Sequence, residues 1–164
     1  MPFVKGKTGN STTDKVYTPS AIAKSIIDKF ELSGKVLDPF KGQGAFYDNL
    51  PDGIEKDWCE IDEDRDFFAY DEHVDWIISN PPYSIYKEVM TYSFEIADNI
   101  VYLIPLSKLV SSLGRIREIK HYGGIPYIWI IGGGSKCGFP FGFPVCAVHF
   151  KRGYKGPITV EVEE

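Results

Sequence analysis

Residues 35–46, "KVLDPFKGQGAF", set the expected architecture, because an apolar strand pattern runs directly into a glycine-bearing turn. A short buried strand is predicted first, and Gly42 and Gly44 follow it in G-x-G spacing. Glycine lets the backbone bend tightly and approach a ligand closely, and a helix predicted over 45–50 would present free amides there. The turn lacks the G-K-S/T ending of a P-loop. Asp38, at the strand end, is either a helix cap or an acid for the ammonium group of an amino-acid-like ligand.

Strand and helix patterns alternate along the rest of the chain. A helix is predicted over 18–30, with Thr18 as its N-cap and Pro19 at its first position. A second helix is predicted over 85–98, and residues 110–122 are predicted as a helix or a loop interrupted by Gly114. Strands are predicted over 57–61, 74–79, 99–106, 125–133 and 145–152, and a short piece over 66–70. The last two strands are expected to close the sheet as an antiparallel hairpin. The pattern predicts an α/β fold, a mostly parallel sheet with helices on both faces.

Polar side chains follow several of the predicted strands at their carboxyl ends, where sheets of this kind bind ligands. Asp38 and the glycines follow the first strand, Glu60 ends the second, and Asn80 follows "VDWIIS". We therefore expect them to share one site. Glu60 and Asp62 come about twenty residues after the glycines, where a carboxylate can grip a ribose diol. A solvated acidic turn is the alternative.

The composition is that of one globular domain. The 164 residues are enough for a single sizeable core, and residues 1–13 are predicted to form a flexible arm. The three cysteines form no C-x-x-C pair, which argues against a disulfide framework or a metal site and favours a reducing compartment. No apolar run approaches the ~20 residues of a membrane span. We expect a cytoplasmic protein with no metal and no membrane contact.

The net charge of −5 is unevenly distributed along the chain. Residues 1–98 carry 10 basic and 19 acidic side chains, whereas residues 99–157 carry 8 basic side chains and Glu118 as their only acid. Such an asymmetry can give an acidic protein a locally positive face. A solvated helix with scattered lysines is the alternative.

Residues 79–84, "SNPPYS", form either a stiff turn or a shelf for a substrate. Pro81 and Pro82 fix the backbone, so any acceptors on this segment would hold their direction. An amino group on an aromatic base is a poor nucleophile, because its lone pair is delocalised into the ring. If the Asn80 side-chain oxygen and the Pro81 carbonyl accepted its two hydrogens, the nitrogen could become pyramidal and attack in line. Tyr83 would offer a flat face to the base.

In order and spacing, "DPFKGQGAF", "CEID" and "NPPY" resemble the adenine-specific DNA methyltransferases, which use S-adenosylmethionine. "VYTPSAIAKSIID" resembles the motif that precedes the glycine turn in members whose cofactor motifs come first. The resemblance covers roughly residues 15–110. It implies a Rossmann-like fold with a seven-stranded sheet, base flipping and direct methyl transfer. The implied cofactor site is Tyr17, Thr18, Pro19, Asp38, Phe40, Gly42, Gly44, Glu60, Asp66 and Phe67. The implied catalytic residues are Asn80, Pro81, Pro82 and Tyr83.

Two features depart from that family. Only residues 63–65 separate "CEID" from "DFF", so the usual helix cannot fit and the sheet should be thinner on that side. We also expect no target-recognition domain, so the expected partner, nucleic acid and DNA above all, would meet short loops, a separate specificity subunit or a homodimer. Phosphate contacts are expected from the basic residues Lys108, Arg115, Arg117 and Lys120. Phe141, with Phe139 and Phe143, either stacks on the target base or plugs the core.

Three alternatives stay open. The first is the same methyl transfer to adenine in RNA, which would use the same "NPPY" tetrapeptide. A protein glutamine also presents a planar amino group, although that class usually pairs NPPY with a different glycine loop. A non-catalytic subunit of a methyltransferase assembly is the third.

Overall fold

The computed structural model of the protein describes residues 16–164, so the arm predicted over 1–13 lies outside the described residues. Seven strands form one sheet in the order β2-β1-β3-β4-β6-β5-β7. The strands are β1 (Lys35–Asp38), β2 (Glu55–Trp58), β3 (Val74–Ser79), β4 (Ala97–Pro105), β5 (Gly123–Gly133), β6 (Pro144–Arg152) and β7 (Thr159–Val162). The helices are α1 (Ser20–Ile27), α2 (Tyr86–Ile96) and α3 (Leu113–Tyr122).

The pairing of the strands confirms the expected fold class. β6 runs antiparallel to both of its neighbours, β4 and β5, and the other pairs in the sheet are parallel. The chain proceeds from β1 outward to β2 and then returns to β3 on the other side of β1. This reversal of strand order places a crevice at the carboxyl ends of β1 and β3.

Two hydrophobic cores cover the two faces of the sheet, because side chains alternate along each strand. Val36 and Val101 face the core that contains α1, where Ala23 and Ile26 are fully buried. The opposite core contains apolar residues of both α2 and α3 and receives neighbouring strand residues such as Leu37. The helices therefore lie on both faces, as predicted. None of the helices within residues 16–164 is long and apolar enough to cross a membrane.

Three predictions of local structure were wrong. The helix predicted over 45–50 is only a 3₁₀ turn, Tyr47–Asn49, because Pro51 prevents its continuation. Helix α1 begins at Ser20 with Pro19 as its N-cap. Thr18 does not cap it, because the helix begins one residue later, and the Thr18 hydroxyl accepts a hydrogen bond from Asn80.

The third error concerns β7, for which no strand was predicted. Its residues do alternate, with Val160 and Val162 next to Thr159 and Glu161, but all four are exposed, so the alternation marks no buried face. It pairs in parallel with β5 and is tied to the α1 side of the sheet by an ion pair between Glu161 and Lys29 at 2.8 Å. The seventh strand is therefore β7, and the short piece predicted over 66–70 contains a 3₁₀ turn, Phe67–Ala69.

The opposite edge of the sheet is thin, as the short spacing after "CEID" predicted. Residues 59–73 contain 3₁₀ turns instead of a helix, which leaves β2 as an edge strand. Cations lie over the Trp58 ring at this edge: the Lys41 Nζ and the Arg65 Cζ are each 4.0 Å from the ring centroid. Charged side chains on an edge strand disfavour pairing with another chain.

Candidate active-site cleft

A cleft opens at the carboxyl edge of the sheet, where β1, β2 and β3 end. It encloses about 940 Å³, open solvent at its mouth included. It is lined by Val16, Tyr17, Thr18, Pro39, Phe40, Lys41, Gly42, Gln43, Ala45, Phe46, Glu60, Ile61, Asp62, Asp66, Phe67, Phe68, Asn80 and Pro82. The glycine turn, the acidic segment and the "NPPY" segment thus meet at one place, as the sequence predicted.

The glycine loop, residues 39–44, forms one wall of the cleft. Gly42 has φ of +53°, and a Cβ there would lie 3.3 Å from the Tyr17 ring. The Gly42 amide donates to the Glu60 Oε2 at 2.8 Å, and the Gly44 amide donates to the Lys41 carbonyl at 2.8 Å. Because a larger residue at position 42 would press on Tyr17, the loop depends on glycine to stay close to the cleft.

Asp38 lies beneath the glycine loop and not on the cleft wall, since its side chain is completely buried. Its carboxylate accepts hydrogen bonds from the Ser79 hydroxyl at 2.6 Å, the Phe40 amide at 3.3 Å and the Tyr47 amide at 3.2 Å. Burial raises the pKa of Asp38 to about 7, and the hydrogen bond from Ser79 is the largest influence that lowers it. Asp38 therefore joins the ends of β1 and β3 to the loop.

Two carboxylates of the cleft wall, Glu60 and Asp66, also organise the backbone around them. The Glu60 Oε1 accepts from the Asp62 amide at 3.1 Å and caps one 3₁₀ turn, while its other oxygen holds Gly42. The Asp66 Oδ1 accepts from the Phe68 amide at 3.0 Å and caps the next turn. Each carboxylate oxygen has a further lone pair, so these side chains can still accept hydrogens from a ligand.

Apolar rings line the cleft beside these carboxylates. Phe40 and Phe67 meet edge to face, with ring centroids 5.3 Å apart, and Phe67 meets Tyr92 in the same way at 5.1 Å. Phe67 is buried, so packing in the core fixes the position of this wall. Rigid apolar walls with a few polar groups are typical of sites for planar ligands.

Asn80 reaches the cleft from the end of β3, and three hydrogen bonds fix its side-chain amide. Its nitrogen donates to the Thr18 hydroxyl at 3.1 Å and to the Val16 carbonyl at 3.4 Å, and its oxygen accepts from the Tyr83 hydroxyl at 3.1 Å. A backbone carbonyl can only accept, so the amide nitrogen has to face Val16. The orientation of the Asn80 oxygen is thereby determined by its neighbours.

Tyr83 is half-buried and is not among the residues that line the cleft, whereas the sequence led us to expect a ring face open to the substrate. Its ring stacks on Phe139, with centroids 5.6 Å apart and an interplanar angle of 29°. Its one hydroxyl hydrogen is shared between the Leu103 carbonyl of β4 at 2.8 Å and the Asn80 oxygen at 3.1 Å. Burial holds the pKa of Tyr83 well above its ordinary value, so the hydroxyl keeps its proton. The side chain therefore anchors the segment to β4 and to the loop that carries Phe139.

The aromatic loop, residues 134–143, joins β5 to β6 at the same edge of the sheet. Phe139 stacks on Phe141 at 5.1 Å, and Phe141 contacts Phe143 at 5.4 Å. Gly138 has φ of +87°, and a Cβ there would lie 3.0 Å from the Tyr17 carbonyl. The aromatic loop is thus packed against the segment before α1 that lines the cleft.

The basic residues proposed for phosphate contact lie outside the cleft. Arg115 stands in the first turn of α3, with its guanidinium 4.6 Å from the centroid of the Tyr86 ring. Arg117 and Lys120 follow along the exposed side of α3. Because the Tyr122 hydroxyl at the end of α3 reaches Ala97 at the start of β4, the helix runs away from the cleft edge. Lys108 lies in the 3₁₀ segment directly after β4, at that edge.

The structure brings only part of the predicted set onto the cleft wall. The predicted residues that line it are Tyr17, Thr18, Phe40, Gly42, Glu60, Asp66, Phe67, Asn80 and Pro82. Those that do not are Pro19, Asp38, Gly44, Pro81, Tyr83, Lys108, Arg115, Arg117, Lys120 and Phe141. Sequence reasoning gave no role at the site to Lys41 or Gln43, whose only signal was their position inside the glycine loop. Within residues 16–164, no group of three His, Cys, Asp or Glu side chains could hold a metal ion.

No protein-family model matches the sequence, and no curated protein matches it. The chain does match solved structures. A Listeria monocytogenes protein assigned to the class I S-adenosylmethionine-dependent methyltransferases matches with a TM-score of 0.69 and 14% identity, over 95% of this chain and 67% of that one. The methyltransferase subunit of a type I restriction-modification system from Streptococcus thermophilus matches with a TM-score of 0.69 and 13% identity, over 93% of this chain and 48% of that one.

A Pyrococcus horikoshii protein assigned as an RNA methyltransferase matches with a TM-score of 0.57 and 14% identity, over 91% of this chain and 93% of that one. At such identities the similarity concerns the fold. The protein therefore has the Rossmann-like fold of the class I methyltransferases, and it spans about half the length of the Streptococcus subunit.

Proposed function

We propose that the protein is an S-adenosylmethionine-dependent methyltransferase that acts on the exocyclic amino group of adenine in nucleic acid, and in DNA first of all. The observation that carries this proposal is that Asn80 and Pro82 line the same cleft as Gly42 and Glu60. Direct transfer requires the methyl donor and the accepting nitrogen to meet in one place. The fold supports the class of enzyme, and its structural neighbours include both a restriction-modification subunit and a protein assigned to RNA.

The residues of the cleft fit S-adenosylmethionine. Gly42 leaves room where a Cβ would press on Tyr17, and the Glu60 and Asp66 carboxylates retain lone pairs for ribose hydroxyls or an amino group. Phe40 and Phe67 supply an apolar wall for a flat ring. When bound, the cofactor supplies an electrophilic methyl group on a sulfonium centre.

The chain's own contribution to the reaction is to position the amino group. The Asn80 oxygen accepts one hydrogen bond from Tyr83 and has a second lone pair for a substrate amino hydrogen. Pro81 does not line the cleft itself but stands between Asn80 and Pro82, which do, and we assign its carbonyl to the other hydrogen, which leaves the nitrogen lone pair free to attack. Pre-oriented acceptors of this kind lower the barrier because they do not have to reorganise during the reaction. Tyr83 acts here as a positioning residue, since it touches Asn80 and not the cleft.

Asp38 and Thr18 keep this arrangement in place from two sides. Asp38 connects the Ser79 hydroxyl, one residue before Asn80, with the amide of Phe40 in the glycine loop. Thr18 accepts from the Asn80 amide and so ties it to the segment that lines the other side of the cleft. The acceptor for the substrate and the loop for the cofactor are thus parts of one hydrogen-bonded unit.

The test is methyl transfer from labelled S-adenosylmethionine to single-stranded DNA, duplex DNA, RNA and a protein extract in separate reactions. We expect label in nucleic acid and a loss of about 100-fold with Asn80→Ala, because one pre-oriented polar group is removed. Asn49→Ala is the matched control, since Asn49 is also half-buried and hydrogen-bonded but lies outside the cleft. Label only in protein, or equal transfer by Asn80→Ala and the parent, would overturn the proposal.

A further inference from the structure

Four aromatic rings form a continuous column that leads out from the neighbourhood of Asn80. Tyr83 stacks on Phe139 at 5.6 Å, Phe139 on Phe141 at 5.1 Å, and Phe141 contacts Phe143 at 5.4 Å. Exposure rises along the column, from 4% for Phe139 to 67% for Phe143. The inner end touches the candidate catalytic residue through the hydroxyl of Tyr83, and the outer end is in solvent.

Core packing accounts for the inner rings and not for Phe143. Phe139 belongs to the core on the α1 face and Phe141 packs against it, so their stacking is part of the fold. Phe143 buries little of its surface, yet it is held against Phe141 and is followed directly by Pro144, which has a fixed φ. An exposed aromatic ring on a restricted backbone loses little conformational entropy when a ligand stacks on it.

The charge around this edge suits a nucleic-acid strand. Of the basic side chains of residues 99–157, Lys108 and Lys136 stand at this edge, whereas Lys151 and Arg152 lie beside the start of β4, at the other end of the strands. Lys108 follows the end of β4, and the end of β4 pairs with the start of β6, where the aromatic loop ends: Pro105 lies opposite Val145. A phosphate backbone that passes this edge therefore meets a positive segment while an aromatic ring stands beside it.

We propose that Phe143 is a stacking platform for an unpaired nucleobase on the strand that carries the methylated adenine. The inference rests on the proposed function and adds to it a preference for unpaired over fully paired strands. A base within a continuous duplex already stacks on its neighbours, whereas an unpaired base has a free face for the ring. Stacking on an aromatic side chain is tolerant of sequence because every base has such a face. DNA and RNA bases share this chemistry.

The test measures the Kd of oligonucleotides of about 12 nucleotides with one adenine, a length that covers a typical single-strand site. The probes are the single strand as DNA and as RNA, the DNA duplex, and a single strand with abasic positions on both sides of the adenine. Phe143→Leu is expected to weaken binding of the single strands about tenfold, and Phe143→Tyr to retain it. The abasic probe should bind the parent as weakly as it binds Phe143→Leu. Phe143→Leu should change the Kd of the duplex by less than about twofold.

Val162→Ala serves as the control, because Val162 is a similarly exposed apolar residue, at 61%, on the edge strand β7. The inference is overturned if Phe143→Leu binds like the parent, if its loss is the same on the abasic probe, or if no single strand binds. These outcomes are Kd values, and they are distinct from the result that would overturn the proposed function. Failure of the function is scored by methyl transfer with Asn80→Ala, which needs no change at Phe143.

Discussion

The glycine loop and the aromatic loop leave the same edge of the sheet, yet they are anchored by different interactions. Buried or capping carboxylates hold the glycine loop: Asp38 accepts from Phe40, and Glu60 accepts from Gly42. Stacked rings hold the aromatic loop, beginning with Phe139 on Tyr83. Hydrogen bonds to fixed carboxylates act directly on the backbone, whereas stacked rings hold a loop only through its side chains. Under the proposed function, the glycine loop would face the cofactor and the aromatic loop would face the nucleic acid.

The largest expected effect is on stability and concerns Phe139, the ring that anchors the aromatic loop in the core. Phe139→Ala removes a ring that is 4% exposed and should cost about 3–5 kcal/mol of unfolding free energy. Phe143→Ala is the matched control at the exposed end and should cost less than about 0.5 kcal/mol. Urea unfolding followed by circular dichroism measures both. Equal losses of unfolding free energy for the two variants would contradict the description of the ring column, in which Phe139 is packed in the core and Phe143 is exposed.

The pH dependence of stability tests the anchor of the glycine loop. Because burial raises the pKa of Asp38 to about 7 in the folded state, the folded protein binds a proton that the unfolded chain releases near pH 4. This carboxyl group therefore contributes stability below about pH 4, and that contribution is lost as the pH rises to about 7, by about 4 kcal/mol in total. Asp38→Asn should flatten the decline in unfolding free energy across this window. Parallel pH profiles for the parent and the variant would show that Asp38 does not titrate there.

A smaller effect is expected for the carboxylate that holds Gly42. Glu60→Gln replaces a charged acceptor and should weaken binding of S-adenosylhomocysteine about tenfold, since hydrogen bonds to charged groups contribute about 1.5–3 kcal/mol. Isothermal titration calorimetry measures the change. Glu88→Gln is the control, because Glu88 is exposed on α2 and does not line the cleft. If both variants bind alike, Glu60 has no particular part in holding the loop.

The sequence predicted those parts of the molecule in which the residue pattern along the chain matches the burial and strand ends of the fold. Apolar periodicity predicted α2 and the buried strands, and the chain positions of Gly42, Glu60 and Asn80 placed them at one sheet edge because parallel strands end together. The strand β7 was missed although its four residues alternate between polar and apolar, since all four stay exposed and their extended state depends on pairing with β5.

The sequence also could not predict the direction in which the side chain of a motif residue points. The tetrapeptide "NPPY" predicts a rigid backbone, but the orientation of Tyr83 depends on Phe139 and on the Leu103 carbonyl, which come from distant parts of the chain. Asp38 likewise lies under the loop because Ser79 and Tyr47 complete its hydrogen bonds. Local sequence specifies which groups are available, and tertiary packing decides which of them face the cleft.

The central claim is that Asn80 presents an amino group of adenine to a methyl donor in this cleft. Mass spectrometry of nucleosides, after reaction of the parent and of Asn80→Ala with single-stranded DNA or RNA, tests it most directly. The account predicts N6-methyladenine with the parent, at a level about 100-fold lower with Asn80→Ala while S-adenosylhomocysteine still binds. Methylation found only on another base, on the sugar or on protein, or N6-methyladenine formed equally by Asn80→Ala, would contradict it.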